Sequence, residues 1–392
     1  MTDLKSLRSA IVHHWFLVPS GGERVCEAAA ELLERPDFFT LVCRREALTP
    51  NLKQGRLFTS FLQKLPRAEK YYRYYVPLYP LAVEQFDLGS YDLVFSSDSS
   101  VMKGVITRPE TCHVCYCHSP IRYAWNMYHE YRREAGPAWR WFFTLVMHYL
   151  RLWDAAAAGR VDYFVANSEN VRRRILKTYR REAQVIYPPC DLDRFDISEK
   201  VEDFYLVVGR MVAYKRTDIA VRAFSESKRR LVIAGSGPAE KALKAMAGPN
   251  VEFLGWTSDQ DLASLYSRCR AVVFPAEEDF GLVPVEAQAA GRPVLAFGRG
   301  GALESVIAGR TGLFFNQQTP ASLNGAVAEL EKRLDDFDPA FIRRNAERFN
   351  RERFLEEMRA HLAWCLEDHA RAFSSKPEKP DRPAATPSRR PG

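Results

Sequence analysis

No apolar run in the 392-residue sequence reaches the roughly 18–20 residues that a bilayer crossing needs, so no transmembrane helix is expected. Cysteine is sparse at 8 residues, and the opening MTDLKSLRSAIVHHW lacks a basic–apolar–small export pattern. Reduced thiols and a cytoplasmic location are therefore expected, not a disulfide framework. No repeat of fixed period occurs. Zinc-finger, basic-zipper, RNP and KH signatures are missing, which removes nucleic acid from the expected partners. The first strand–helix turn has no G-x-G-x-x-G, which disfavours a dehydrogenase.

What remains is a folded protein too long for one ordinary core, so two domains are expected. The net charge of +7 is unevenly placed. Residues 122–182 hold 12 basic and 6 acidic side chains, and the tail 373–392 holds 5 and 2, so the remainder is slightly acidic. A basic first half suits a phosphorylated substrate or an anionic lipid surface. The tail, rich in Pro, Ser and charge, is expected to be disordered.

Short apolar runs alternate with amphipathic stretches. Strands are predicted at 10–16, 40–43, 93–96, 113–117, 163–166 and 184–186, then at 204–208, 230–234, 251–253, 271–275 and 294–296. Helices are predicted at 23–33, 169–179, 217–225, 260–268 and 285–290. This is the pattern of an α/β protein with doubly wound parallel sheets covered on both faces. It restarts after Tyr187-Pro188-Pro189, a stiff link. The expected organisation is residues 1–187, residues 188–350, a helix over 351–372 that could cross back, and the tail. Ligands are sought beyond the carboxyl ends of the strands.

In the second half, Gly209 lets the chain turn sharply, and Arg210 and Lys215 leave one strand–helix loop, so both can reach a single anion. A pair of solvated surface cations is the competing reading. Farther on, Pro284 suits a helix's first turn, placing Glu286 in that turn and Glu278 on the preceding loop. Two such carboxylates can each accept from neighbouring sugar hydroxyls, and Gly281 admits close backbone approach. Gly298-Arg299-Gly300-Gly301 is either a third phosphate-facing loop or a plain turn.

These residues, in this order, resemble the donor domain of retaining GT-B glycosyltransferases of family 4: VVGRMVAYKR (207–216), EDFGLVPVE (278–286) and AQAAGRPVLAFGRGGALESV (287–306). The resemblance implies two Rossmann-like domains around a cleft. It implies that Arg210 and Lys215 hold the donor diphosphate and stabilise it on departure. Glu286 would then bind the ribose, and Glu278 with the backbone at Phe280, Gly281 and Leu282 the hexose. Asp279 stands where the family commonly has glycine, either tuning hexose preference or facing solvent.

In the first half, Gly21 and Gly22 open a helix whose amides suit an anion, a simple turn being the alternative. The run Cys112-His113-Val114-Cys115-Tyr116-Cys117-His118 alternates faces and has no second Cys-x-x-Cys, so buried thiols plus one useful histidine outweigh a metal site. CYCHSPIRYAWN (115–126), KGVITRP (103–109), RVDYFVANS (160–168) and VIYPPCDLDRF (185–195) resemble bacterial mannosyltransferases of the same family that act in O-antigen and polysaccharide assembly. That likeness implies GDP-mannose as donor, a glycan or polyprenyl-linked acceptor, and His118 against the hexose. A UDP-hexose donor and a catalytically silent nucleotide-sugar-binding scaffold are the alternatives. The Asp191-Leu192-Asp193 triplet is read as linker, so no essential metal or other cofactor is expected. Residues 64–86, with five tyrosines among bases, and the aromatic stretch 139–153 suit either a peripheral membrane contact or a packed helix with a polar rim.

Overall fold

The computed structural model describes residues 4–17 and 21–374; Val18, Pro19, Ser20 and the tail beyond 374 lie outside the described residues. The first sheet holds β1 Ser9–Phe16, β2 Asp37–Cys43, β3 Leu57–Thr59, β4 Leu93–Asp98, β5 Cys112–Cys117, β6 Tyr163–Ala166 and β7 Ala183–Val185, in the order β3-β2-β1-β4-β5-β6-β7. The second holds β8 Tyr205–Val208, β9 Leu231–Ala234, β10 Val251–Gly255, β11 Ala271–Phe274, β12 Val294–Phe297 and β13 Gly312–Phe315, in the order β10-β9-β8-β11-β12-β13. Each neighbouring pair is parallel.

Runs such as LVIA, AVVF and VLAF are buried at every position, because helices cover both faces of each sheet. β3 and β13 were not foreseen. β3 is half to fully exposed at the sheet edge, and β13 has only four residues and opens on Gly312.

Strand order reverses between β1 and β4 in the first sheet and between β8 and β11 in the second. At such a switch point neighbouring loops part in opposite directions and leave a crevice. The loops after β1, β8 and β11 carry Gly21–Gly22, Gly209–Lys215 and the 275–281 segment, so topology alone gathers the candidate residues.

The final helix, Arg351–Ser374, returns to the first sheet, where Phe354, Met358, Leu362 and Cys365 join the core of Val25 and Ala28. It runs past the expected end at 372. Phe373 is still helical, its ring 4.6 Å from that of His369, so the tail expected to start at 373 begins no earlier than 375. The two chain crossings between domains lie side by side. Cys190 N donates to Phe349 O at 3.0 Å and Arg353 Nη2 to Tyr187 O at 2.9 Å.

Candidate active site

Gly209 ends β8 with φ of 135°, a conformation that disfavours other residues. A Cβ there would stand 3.0 Å from Lys215 Nζ. The loop thus folds Lys215 back over its own start, and Lys215 meets Glu278 Oε1 at 2.9 Å. Burial opposes the ammonium charge, but Glu278, Tyr214 and Glu286 outweigh it and hold the Lys215 pKa above its ordinary value. Arg210, on the same loop, is exposed and has no side-chain partner among the described residues. One cation is fixed and one is free to meet a ligand.

The helix following Glu278 is Leu282–Ala289, so Pro284 lies in its first turn as expected, but Glu286 falls in the next. The helix starts earlier than predicted because Gly281, with φ of 87°, makes the turn into it. Glu286 is buried. Tyr266 Oη donates to its Oε2 at 2.8 Å, and Arg24 Nη1 reaches its Oε1 at 3.3 Å. Phe280 packs against Tyr187 and Phe349, leaving only its backbone for a ligand. Gly301 lies against that backbone: a Cβ on it would come 2.3 Å from Phe280 Cα, and its N–H donates to Glu278 O at 2.9 Å. The glycine-rich turn therefore shapes the acidic loop.

Across the cleft, the Gly21–Leu32 helix starts directly against the Leu282–Ala289 helix, since a Cβ on Gly21 would lie 3.1 Å from Leu282 Cδ1. A Cβ on Gly22 would meet His13 Cε1 at 3.0 Å and His118 Nε2 at 3.6 Å. The bare glycine edge thus brings helix amides and two imidazoles to one spot.

His118 is half-buried at the end of β5. Its Nε2 lies 2.8 Å from Ser97 Oγ. His13 Nδ1 lies 3.1 Å from the Ser97 carbonyl and 3.2 Å from Oγ, so His13 donates and the serine proton is left for His118. Burial and the His13 charge lower the His118 pKa to about 4. A neutral imidazole accepting at Nε2 carries its proton on Nδ1, which has no partner among the described residues. His118 accordingly offers a ligand one N–H donor.

Burial also lowers His113 to about 4. Folded values below the ordinary 6.5 mean that the unfolded chain takes up protons first as pH falls. Stability is expected to decline from about pH 6.5 towards pH 4. Urea midpoints at pH 7 and pH 4.5 check this; equal midpoints would contradict the buried neutral state.

Asp279 does not simply face solvent. Its carboxylate pairs with Arg122 at 3.4 Å and closely with Arg174, both from the first domain. Ser168 caps the Glu169–Tyr179 helix as expected, accepting from Val171 N at 3.1 Å, and its hydroxyl reaches Asp279 O at 2.7 Å. Glu304 accepts from the amides of Glu169 and Asn170 at 2.8 and 2.9 Å. Beside this latch opens a cavity of about 550 Å³ lined by Trp125, Asn170, Arg174, Lys177, Glu277 and Arg299.

The thiols of Cys112, Cys115 and Cys117 are buried, and burial raises their pKa. His113 Nε2 is engaged by Ser96 Oγ at 2.8 Å. Among the described residues no three His, Cys, Asp or Glu side chains are placed to hold a metal ion. Sequence spacing missed Arg24, Arg122, Arg174, Ser97 and His13, because each meets the site from a distant part of the chain.

Family models match both halves: Glycosyltransferase Family 4 over residues 19–194 and Glycosyl transferases group 1 over residues 191–347. An O-antigen chain mannosyltransferase C of Escherichia coli is 33% identical over 156 residues, 35% of this chain and 42% of that protein. A D-inositol 3-phosphate glycosyltransferase of Mycobacterium bovis is 31% identical over 188 residues, 41% of this chain and 38% of its own length. An uncharacterised glycosyltransferase of Methanocaldococcus jannaschii is 29% identical over 179 residues, 44% of this chain and 51% of its own. The chain thus spans about half or less of the length of these relatives. Among solved structures, Anabaena HepE in complex with UDP superposes with a TM-score of 0.68 at 16% identity, covering 91% of this chain and all of that one. In fold and in both of its halves, the chain is built from the family 4 and group 1 domains of GT-B glycosyltransferases.

Proposed function

We propose that this protein transfers α-mannose from GDP-mannose, with retention at the anomeric carbon, to a lipid-linked oligosaccharide in cell-surface polysaccharide assembly. The observation that carries the reading is the Lys215–Glu278 pair at 2.9 Å, with Arg210 unpaired on the same loop and a glycine-opened helix start across the cleft. Lys215 and Arg210 receive the diphosphate, Glu286 the ribose, and Glu278 and His118 the hexose. As the bond from the anomeric carbon to the diphosphate breaks, both cations and the loop amides meet the developing charge. The acceptor oxygen bonds that carbon from the same face, and its proton passes to the departing phosphate. No metal is required in this scheme.

The mannose assignment draws on the motifs of the first half and on the Escherichia coli relative. A UDP-hexose donor is the second reading, favoured by HepE structures holding UDP and UDP-glucose. A silent scaffold has no physical use for Lys215, Glu278, Glu286, Arg210 and His118 together. Incubation with GDP-mannose or UDP-glucose and a lipid-linked acceptor, in chelator, should add one hexose only from GDP-mannose. Addition from UDP-glucose alone would overturn the donor. Glu278→Gln is expected to lower transfer at least about tenfold while changing free-GDP affinity little. Equal losses would place Glu278 on the nucleotide.

A further inference from the structure

We infer that the Gly136–Ala157 helix docks this protein onto an anionic lipid bilayer. The helix is fastened on one side by Met147, Leu150 and Asp154, which are buried. Its other side carries Trp141 at 65% exposure, Phe142, Leu145 at 58%, Tyr149 and Leu152 at 62%, and Trp139, at 67%, stands beside that face in the first turn. Positions 138, 141, 142, 145, 149 and 152 recur at helical spacing and form a single stripe.

No exposed residue of this helix carries a formal charge. Arg140, Arg151 and Asp154 are its charged residues, and none of them is exposed. A helix face turned to water normally holds charge, so this arrangement is the reverse of a solvated one. From residue 138 to 152 the stripe runs about 21 Å.

A second apolar row stands on two short consecutive helices, Tyr72–Leu78 and Tyr79–Glu84. Tyr74, at 80% exposure, Leu78 and Leu81 project outward, whereas Tyr72, Tyr75 and Val76 pack against the core cluster that also holds Met147 and Leu150. The rim carries more bases than acids: Lys64, Arg67, Lys70 and Arg73 are exposed along residues 64–73 against Glu69 alone, while beside the helix Arg132, which bonds Thr144 Oγ1 at 3.1 Å, and Arg133 are balanced by exposed Glu130 and Glu134.

This charge selects the occupant. Apolar side chains entering the headgroup boundary under a basic rim fit an anionic bilayer. Self-pairing of the face would bring basic rims together. The helix lies on the membrane, since no described helix is long and apolar enough to cross one. Its last turns also reach the interdomain cavity, because Trp125, which lines that cavity, donates to Asp154 at 2.7 Å. A lipid-linked acceptor would meet the cleft from this side. The inference extends the proposed acceptor but rests on its own surface.

The test is sedimentation of the full chain with vesicles of phosphatidylcholine, alone or equimolar with phosphatidylglycerol. The protein should pellet with the anionic vesicles and be released by salt. Trp141→Ser/Leu145→Ser/Leu152→Ser should lower the bound-to-free ratio at least about tenfold, with Arg132→Glu/Arg133→Glu acting in the same direction. GDP affinity, measured on the same preparations, should be unchanged and so reports an intact fold. Failure of the wild type to pellet, or equal pelleting of the triple variant, would overturn the inference. So would a solution dimer that the triple variant dissociates without any vesicle binding, which would assign the face to a second copy. Pelleting as expected by a chain that binds no GDP would sustain the docking face and remove the donor reading.

Discussion

Lys215→Ala is expected to slow glycosyl transfer by about 10²–10³-fold, and Arg210→Ala by a similar factor, both with the fold intact. The diphosphate gains charge as the sugar leaves it, and a fixed cation in a partly dry site acts mainly on that gain. Lys215 is such a cation, held by the turn at Gly209 and paired with Glu278. Arg210 supplies a planar donor set from an exposed position, so its removal disturbs no packed group. The loss should fall on kcat, with free-GDP affinity lowered as well, because the ground-state diphosphate is already anionic. Turnover within about threefold of wild type for both variants would remove the diphosphate assignment.

Lys103→Met is expected to destabilise the protein by about 3–5 kcal/mol, a large share of the ~5–15 kcal/mol that holds a typical domain folded. Lys103 is fully buried between Asp98 and Asp154, which are equally inaccessible. Its ammonium lies 3.1 Å from Asp98 Oδ2 and pairs closely with Asp154. Asp154 also accepts from Trp125 at 2.7 Å and Tyr179 at 2.8 Å, and Asp98 accepts from the amides of Ser100 and Met102. Burial works against the Lys103 charge, but both carboxylates outweigh it and raise its pKa. Methionine would fill the stem's volume and leave two carboxylates in a dry site without a counter-charge. Urea unfolding followed by tryptophan fluorescence measures the loss, and a change below about 1 kcal/mol would contradict a structural role for the triad.

What the sequence made legible follows from which forces are local. The run of buried β-branched and aromatic residues at 271–274 identifies a parallel strand wherever it occurs, and the prediction was one residue too long there. Leu57–Thr59 escaped because an exposed three-residue edge strand owes its pairing to β2, not to its own pattern. The proximity of Gly209, Arg210 and Lys215 was readable because they lie within one loop, and that of Glu278 and Glu286 because one short loop leads straight into the Leu282–Ala289 helix. The groups they meet are not local. Arg24 lies 262 residues before Glu286, and Arg174 lies 105 before Asp279. Asp279 itself shows how context decides a contact: the family resemblance implied a place beside the sugar loop, and two arginines from the other domain pair with its carboxylate. His118 was singled out, but its neutral state follows from burial and His13, and its single free N–H from Ser97, which the pairing of β1 with β4 sets beside His13.

The most direct test is calorimetric titration of the full chain with GDP, UDP and ADP in the presence of chelator. The account predicts saturable GDP binding at one site per chain, tighter than for the other two nucleotides and weakened by Lys215→Ala. A preference for UDP would keep the cleft and overturn the GDP-mannose donor. Absence of binding by all three would contradict the account at its centre.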